Sequence, residues 1–328
     1  MTRSPVDEPA SVAADLTLPT WSDMEAAALR IEPHVLRTPL HRSRQLDEAS
    51  GAEIVLKCEN FQRVGAFKAR GAANAVFSLT ESSAARGVAC HSSGNHAAAL
   101  AWSARRRGIP VWVVMPSNAP AAKRAATLGY GAEIIDCEPT LAAREATLAE
   151  VLQRTGAVEI HPYDNAQIIA GAATCAIELM ADDPLPFDVV MAPVGGGGLL
   201  SGTALAVAAT SPTTVVWGAE PLGADDAARS LAAGHLIAQT APDTIADGLL
   251  TSLSPRTYRA ISSHVERIAT VTDDEIIEAM RFVWERMKLV IEPSCAVPVA
   301  VALRGEVAGR RCGIIISGGN VDLAALPF

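Results

Sequence analysis

Apolar residues in this chain fall into short runs that do not alternate with polar residues. Most of these runs are apolar throughout, which is typical of parallel strands that are covered on both faces. Seven runs are predicted as strands: "EIVLKC" (53–58), "VACHSS" (88–93), "VWVVM" (111–115), "AEII" (132–135), "DVVMAPV" (188–194), "TVVWGA" (214–219) and "CGIIIS" (312–317).

Helical patterns rich in alanine lie between the predicted strands, for example "GNHAAALAWSARRRG" and "TLAAREATLAEVLQRTG". The alternation of strands and helices predicts an α/β fold with parallel sheets. The first helix is predicted to begin at Ser22, because Ser22 and Glu25 have the spacing of a capping box.

Composition and charge narrow the class of protein. The chain has 328 residues, of which 49 % are hydrophobic, and a formal net charge of -9, which argues against a nucleic-acid partner. The uncharged stretch 189–219 is broken by Pro193 and four glycines, so no membrane span is expected. The six scattered cysteines and the absence of an apolar leader in the first twenty residues predict a reduced, cytoplasmic protein.

Lys68 stands among small and apolar residues in "GAFKARGA", residues 65–72. A lysine in a poorly solvated pocket has its ammonium form disfavoured, so its amine is available to form a Schiff base. This context predicts a chemical role for Lys68.

Three loops at strand ends are candidate binding sites. "PVGGGGLLSG" (193–202) places four glycines between a strand and a helix, where backbone N–H groups can converge on an anion. Its spacing fits neither a dinucleotide fingerprint nor a P-loop, and a flexible loop is the alternative. "HSSGNHAAA" (91–99) and "ISGGNVD" (316–322) read by themselves as a helix cap and a turn. Together with Lys68, the glycine loop points to pyridoxal 5′-phosphate.

Six motifs in order, "GAFKARGA", "SSGNH", "VGGGGL", "DTIADG", "VWERMKLVIEP" and "SGGNVD", resemble the serine/threonine dehydratase–serine racemase family. "NFQRVGAFKARGA" is most similar to the branch of serine racemases and 3-hydroxyaspartate dehydratases. The resemblance implies a fold-type II (tryptophan synthase β-like) pyridoxal-phosphate enzyme with two open parallel-sheet domains and its active site in the cleft. The large domain is expected at residues 1–86 and 165–328, and the small inserted domain at 87–164.

The resemblance also implies cofactor contacts. Lys68 would form the Schiff base and then act as the base on Cα, and Phe67 would flank the ring. Asn95 would bond the 3′-oxygen and Ser317 the pyridine nitrogen. The phosphate would be held by Gly195, Gly196, Gly197 and Gly198.

Substrate contacts are implied in the same way. The α-carboxylate would be held by Ser92, Ser93, Asn95 and His96, and Ser93 would be the second acid/base that a racemase needs. Arg144 would reach toward the substrate side chain, with an exposed helix arginine as the alternative. Five histidines lack a motif and are expected to be structural: His34, His41, His161, His235 and His264.

A metal site is implied by "EPLGADDAARS", residues 220–230. Glu220 and Asp226 would supply carboxylates and Ala224 a carbonyl, a hard oxygen set suited to Mg²⁺, with Ca²⁺ or Mn²⁺ as other candidates. The alternative is a solvated acidic helix start.

The expected reaction is elimination of water from L-threonine or L-serine, giving a 2-oxo acid and ammonia in a homodimer. Ala98 and Ala172 depart from the family pattern and enlarge or depolarise the substrate side, which favours this reaction. The alternatives are 3-hydroxyaspartate dehydratase and serine racemase. Cysteine synthase-type β-replacement is disfavoured, because "FKARGA" lacks the aspartate-arginine usual after that lysine. A metabolite-binding regulator without catalysis is disfavoured because Lys68 is retained.

Overall fold

The computed structural model describes residues 16–328, and the strands within that range form two sheets. The strands are β1 (Leu40–Arg42), β2 (Glu53–Cys58), β3 (Val88–His91), β4 (Val111–Pro116), β5 (Glu133–Cys137), β6 (Val158–Glu159), β7 (Val189–Pro193), β8 (Val215–Pro221), β9 (Arg267–Val271) and β10 (Arg311–Ile316). Residues 1–15, which include most of the segment predicted to lack a leader, lie outside the described residues.

Helices connect the strands, as expected for an α/β fold. They are α1 (Trp21–Ile31), α2 (Arg44–Ser50), α3 (Lys68–Phe77), α4 (Glu81–Ala84), α5 (Asn95–Arg107), α6 (Ala121–Gly129), α7 (Leu141–Thr155), α8 (Ala166–Asp182), α9 (Gly198–Thr210), α10 (Asp226–Ala233), α11 (Pro255–His264), α12 (Asp273–Phe282) and α13 (Pro293–Leu303). No helix among residues 16–328 is both long and apolar enough to cross a membrane.

The larger sheet has the strand order β1-β2-β10-β7-β8-β9. Only β1 runs antiparallel to its neighbour, and the other pairs are parallel. In the centre of the sheet, Ile314 lies opposite both Leu56 and Met191. All six residues of β10 are buried, which explains why this strand is apolar without alternation.

The smaller sheet has the order β5-β4-β3-β6, and all its strands are parallel. Its four strands lie between residues 88 and 159, inside the segment 87–164 that was predicted as the small domain. The exact domain boundaries stay a prediction.

Each of the seven predicted strands is present, and three further strands were not predicted. β1 and β6 have only three and two residues, too few for a pattern. β9 begins with the exposed Arg267 and lies at the sheet edge.

The first helix begins earlier in the chain than the predicted start at Ser22. Thr20, not Ser22, caps α1: the hydroxyl of Thr20 accepts from the N–H of Asp23, and the Asp23 carboxylate accepts from the N–H of Thr20 at 2.8 Å. Thr20 and Asp23 therefore form the capping box that the sequence analysis assigned to Ser22 and Glu25.

A buried ion cluster fixes α3 to its surroundings. Arg70, on the first turn of α3, donates to both oxygens of Glu59 at 2.8 Å and to those of Glu178 at 2.7 and 2.8 Å. Lys57 of β2 also donates to Glu178, at 2.6 Å. Burial alone would raise the pKa of Glu59, but the charge and hydrogen bonds of Arg70 outweigh it and hold that pKa below its usual value. The cluster ties α3 to β2 and α8.

Replacing Arg70 by methionine should destabilise the fold strongly, because Glu59 would stay buried without its partner. We expect a loss of about 3–5 kcal/mol in the free energy of unfolding, measured by denaturant titration. The control is Arg44→Met, which breaks the exposed pair with Glu48 and should cost less than about 1 kcal/mol. Equal costs for the two variants would contradict this role of the cluster.

Candidate active site

Lys68 is the first residue of α3, and its side chain reaches the segment that leads from the small sheet to the large one. Its Nζ donates to the carbonyl oxygen of Pro162 at 2.8 Å and lies 5.1 Å from the centre of the Phe67 ring. Desolvation lowers the pKa of Lys68 to about 8. At neutral pH, Lys68 is therefore present as the neutral amine in a far larger fraction than a surface lysine is.

The C-terminal motif lies directly against the segment that precedes Lys68. The N–H of Phe67 donates to the carbonyl of Ser317 at 2.9 Å, and the N–H of Gly319 donates to the carbonyl of Gly65 at 2.9 Å. Ser317 follows β10 and is buried, so two motifs about 250 residues apart meet beside Lys68. The structure thus brings Ser317 and Lys68 into one site.

The glycine loop follows β7 and leads into α9, which begins at Gly198. Gly197 has a φ of 86°, a left-handed conformation that favours glycine. A Cβ on Gly196 would lie 2.2 Å from the ring of Tyr163, so this position has no room for a side chain. Within the described range, no backbone hydrogen bond outside helices and strands uses the N–H of Gly195, Gly196 or Gly197. These N–H groups remain available to an anion at a helix N-terminus.

The "SSGNH" loop follows β3, and Gly94 rather than Ser93 or Asn95 occupies the N-cap position of α5. Ser92 accepts from the N–H of Gly94 at 3.3 Å. The imidazole of His96 is buried and bonds to the carbonyl of Ile160 at 2.9 Å, so a carboxylate contact of His96 would use its backbone N–H. The loop can offer hydroxyls and helix N-terminal N–H groups to a carboxylate.

Arg144 lies in the first turns of α7 and is half-buried, in contrast to the alternative of an exposed helix arginine. Its Nε is buried without a hydrogen-bond partner. No carboxylate in the described part of the chain forms an ion pair with it. Its charge lowers the pKa of His91, after the larger effect of burial, which places it near the end of β3.

A family model described as "Pyridoxal-phosphate dependent enzyme" matches residues 31–318. The chain belongs to this family. It is 50 % identical over 314 residues to a β-hydroxyaspartate dehydratase of Paracoccus denitrificans, with 95 % of this chain and 99 % of the relative covered. It is 44 % identical over 313 residues to a serine racemase of Dictyostelium discoideum, with coverages of 94 % and 96 %.

The structure of maize serine racemase superposes with a TM-score of 0.92 at 41 % identity, covering 94 % of this chain and 95 % of that one. The predicted family, the fold-type II architecture and the assignment as a pyridoxal-phosphate-dependent lyase are confirmed by these comparisons.

Glu292 is a site residue of this enzyme to which the sequence analysis gave no role. It is 4 % exposed, and its carboxylate accepts from Nδ2 of Asn95 at 2.9 and 3.1 Å and from the N–H of Asn320 at 3.0 Å. Burial raises the pKa of Glu292 to about 7. Glu292 thereby orients Asn95, the predicted contact of the cofactor 3′-oxygen. Glu292 lies within the motif "VWERMKLVIEP", so its presence in a family motif was the available sequence signal.

His91 and His161 lie close to one another near Lys68, and the expectation that His161 is structural stays a prediction. Their ring centroids lie 6.3 Å apart. His161 precedes Pro162, whose carbonyl holds the Lys68 amine. His91 is the last residue of β3, and His161 lies two residues after the end of β6. Because β6 has no sequence pattern, only the strand-end position of His91 could be recognised from the sequence.

The candidate metal ligands lie away from solvent. Glu220 is 0 % and Asp226 1 % exposed, so the alternative of a solvated acidic helix start is wrong. Glu220 accepts from the N–H groups of Ala227 and Ala228, and Oδ1 of Asp226 has no partner. Burial raises the pKa of Glu220 to about 8 and that of Asp226 to about 6. Among residues 16–328 no three His, Cys, Asp or Glu side chains could together hold a metal, so a shell here would need the Ala224 carbonyl and water.

Gly196→Ala should weaken cofactor binding, because its methyl group would displace the Tyr163 ring that packs on the loop. We expect the dissociation constant of pyridoxal phosphate to rise by roughly tenfold or more, the effect of about 1.4 kcal/mol or more of strain. Titrating the apoprotein and following visible absorbance measures it.

The control for this prediction is Gly129→Ala at the end of α6, where a Cβ would meet nothing within 4 Å. A Gly196→Ala protein with the affinity of this control would show that the loop does not hold the phosphate.

Proposed function

We propose that this enzyme eliminates water from 3-hydroxyaspartate, releasing ammonia and a 2-oxo dicarboxylic acid. The observation that carries the proposal is Arg144, a half-buried arginine without a carboxylate partner in the described chain. An enclosed donor without a hydrogen-bond partner is costly, so a substrate with a second carboxylate would complete the site. The 50 % identity to a β-hydroxyaspartate dehydratase supports this choice over L-threonine or L-serine.

The residues present fit pyridoxal phosphate. Lys68 offers a desolvated amine, the glycine loop offers unpaired N–H groups and a helix N-terminus, and Ser317 offers a buried hydroxyl. The cofactor, when bound, supplies the electron sink that makes the substrate's Cα–H acidic. A hydroxyl at Ser317 does not carry a charge that would keep the pyridine nitrogen protonated, which favours prompt loss of a β-leaving group.

The side chains around the substrate then have separate tasks. The start of α5 binds the α-carboxylate through its free N–H groups and the hydroxyls of Ser92 and Ser93. Lys68 takes the proton from Cα at its Nζ, which is suited to the task because its pKa is lowered to about 8. Arg144 binds the β-carboxylate and so fixes the Cβ–OH bond relative to Lys68.

Serine racemase is the second candidate function. Ser93 precedes the N-cap of α5, and its hydroxyl forms no hydrogen bond within the described range, so it is free to act as an acid/base. The 44 % identity to a serine racemase supports this reading. Chiral chromatography of L-serine incubations, with Ser93→Ala as the control, measures whether D-serine forms.

Arg144→Met should abolish discrimination between dicarboxylic and monocarboxylic substrates. A charge-assisted bidentate contact of about 1.5–3 kcal/mol corresponds to a preference of roughly 10- to 150-fold in kcat/KM. We expect wild type to prefer 3-hydroxyaspartate over threonine by such a factor and the variant to lose it while sparing threonine. A keto-acid assay measures both rates.

The matched control is Arg154→Met, which removes an exposed arginine from the last turn of the same helix, α7. This variant should keep the wild-type preference. If wild type prefers threonine, the earlier expectation of a threonine/serine dehydratase replaces the present proposal.

We further propose that Glu220, Asp226 and the Ala224 carbonyl hold Mg²⁺, with Ca²⁺ or Mn²⁺ as other candidates, and that the enzyme is a cytoplasmic homodimer. The unpartnered Oδ1 of Asp226 beside a second buried carboxylate supports a cation there. A bound cation would remove the repulsion between the two carboxylates.

Mg²⁺ should raise the melting temperature of the wild-type protein, because a ligand that binds only the folded state stabilises it by mass action. At 100-fold excess over its dissociation constant the gain is about 2.7 kcal/mol. Asp226→Asn should remove most of this shift, and Asp225→Asn, one residue away and paired with Arg229, should not. Equal shifts in both variants would contradict the site.

A further inference from the structure

The segment 161–164 covers the site from the side of the small sheet. Lys68 donates to the carbonyl of Pro162, and the ring of Tyr163 fills the space over Gly196. His161 therefore lies next to the residue that binds the Lys68 amine.

Backbone hydrogen bonds determine the tautomer of His161. Its Nδ1 accepts from the N–H of Asp164 at 2.9 Å and more weakly from that of Tyr163 at 3.4 Å. The edge contact with the Tyr163 ring, 4.6 Å between centroids, fixes the ring plane. Because Nδ1 is an acceptor, the proton of the neutral ring is on Nε2.

The Nε2–H group of His161 is available to a ligand. Among residues 16–328 no hydrogen bond engages it, and it is not one of the enclosed atoms without a partner. The residue as a whole is half-buried. Arg144 and His161 both lie close to His91.

The ring is neutral at physiological pH. Burial lowers the pKa of His161 to about 4, Asp164 opposes this, and His91, Lys68 and Arg256 add to it. The other titratable groups close to the ring are His96 and Tyr163. His161 is thus a neutral hydrogen-bond donor whose charge does not change near neutral pH.

We propose that Nε2–H of His161 donates a hydrogen bond to the leaving hydroxyl on the substrate's Cβ. The position fits, because His161 is adjacent to Pro162, whose carbonyl accepts from Lys68 Nζ, and Cβ is one bond from the Cα that Lys68 deprotonates. This inference rests on the proposed elimination of water, but not on the identity of the hydroxy amino acid.

The step balances without a further reagent. Lys68 Nζ takes the proton from Cα, the electron pair of that C–H bond forms the Cα–Cβ double bond, and the Cβ–O bond breaks with its electron pair leaving on oxygen. The proton that completes water comes back from the Lys68 ammonium. His161 keeps its own proton and stabilises the charge that develops on the leaving oxygen, so its effect depends on the leaving group.

The test compares two leaving groups in one series of variants. His161→Asn keeps an acceptor at the position of Nδ1, and so the turn at Asp164, but has no distal donor. We expect kcat/KM for hydroxy substrates, 3-hydroxyaspartate and L-serine, to fall by roughly 10²-fold, the effect of losing one preorganised donor. Turnover of β-chloro-L-alanine, whose chloride needs no hydrogen bond to leave, should change by less than about threefold.

His161→Gln, whose amide reaches the position of Nε2, should recover part of the rate on hydroxy substrates only. An equal loss on the chloro and hydroxy substrates in His161→Asn would show a structural role and overturn the proposal, as would no loss on either. The wild-type preference between 3-hydroxyaspartate and threonine tests the proposed function separately. Failure of the proposed function can therefore be distinguished from failure of the proposed role of His161.

Nitrogen-15 NMR of histidine-labelled protein gives a readout that is independent of turnover. We expect the His161 signals, assigned by their absence in His161→Asn, to show a protonated Nε2 and an unprotonated Nδ1 at neutral pH. The opposite tautomer, or a charged ring, would contradict the proposal.

Discussion

The Lys68 amine donates to the carbonyl of Pro162 in a place where it has lost enough water for its pKa to fall to about 8. This desolvation requires that α3 be held in position against β2 and α8. The buried pairs of Arg70 with Glu59 and Glu178 provide that hold two residues from Lys68. The charged cluster in the core thus supports the low pKa of the neighbouring amine. Arg70 is paired with two carboxylates, whereas the hydrogen-bond partner of Lys68 is an uncharged carbonyl.

Around this amine, parallel strand ends bring together groups that are far apart in sequence. The glycine loop follows β7, Ser317 follows β10, and the loop that leads into α5 follows β3. Ligands of open α/β sheets bind at such carboxyl ends. The site attracts anions through backbone N–H groups and helix N-termini, which is consistent with an acidic chain of net charge -9.

The sequence predicted the elements whose signals are local. Fully apolar strands such as β10 and β7, the glycine loop and the apolar context of Lys68 could all be recognised from neighbouring residues. The two-residue β6 could not, and neither could the contact of Glu292 with Asn95 or the placement of His161 beside Lys68, because these arise from long-range contacts. Asn95 meets Glu292 across 197 residues, and Lys68 meets Pro162 across 94. Helix α1 shows the limit of local rules, since two overlapping capping boxes fitted the same stretch.

We infer that the amine of Lys68 carries the cofactor. Reducing the purified holoenzyme with borohydride and locating the pyridoxyl group by peptide mass spectrometry tests this most directly. We expect loss of the visible absorbance and a modified peptide containing Lys68, with Lys57 and Lys123 unmodified. A pyridoxyl group on another lysine, or no modified peptide in a protein that binds the cofactor, would contradict it.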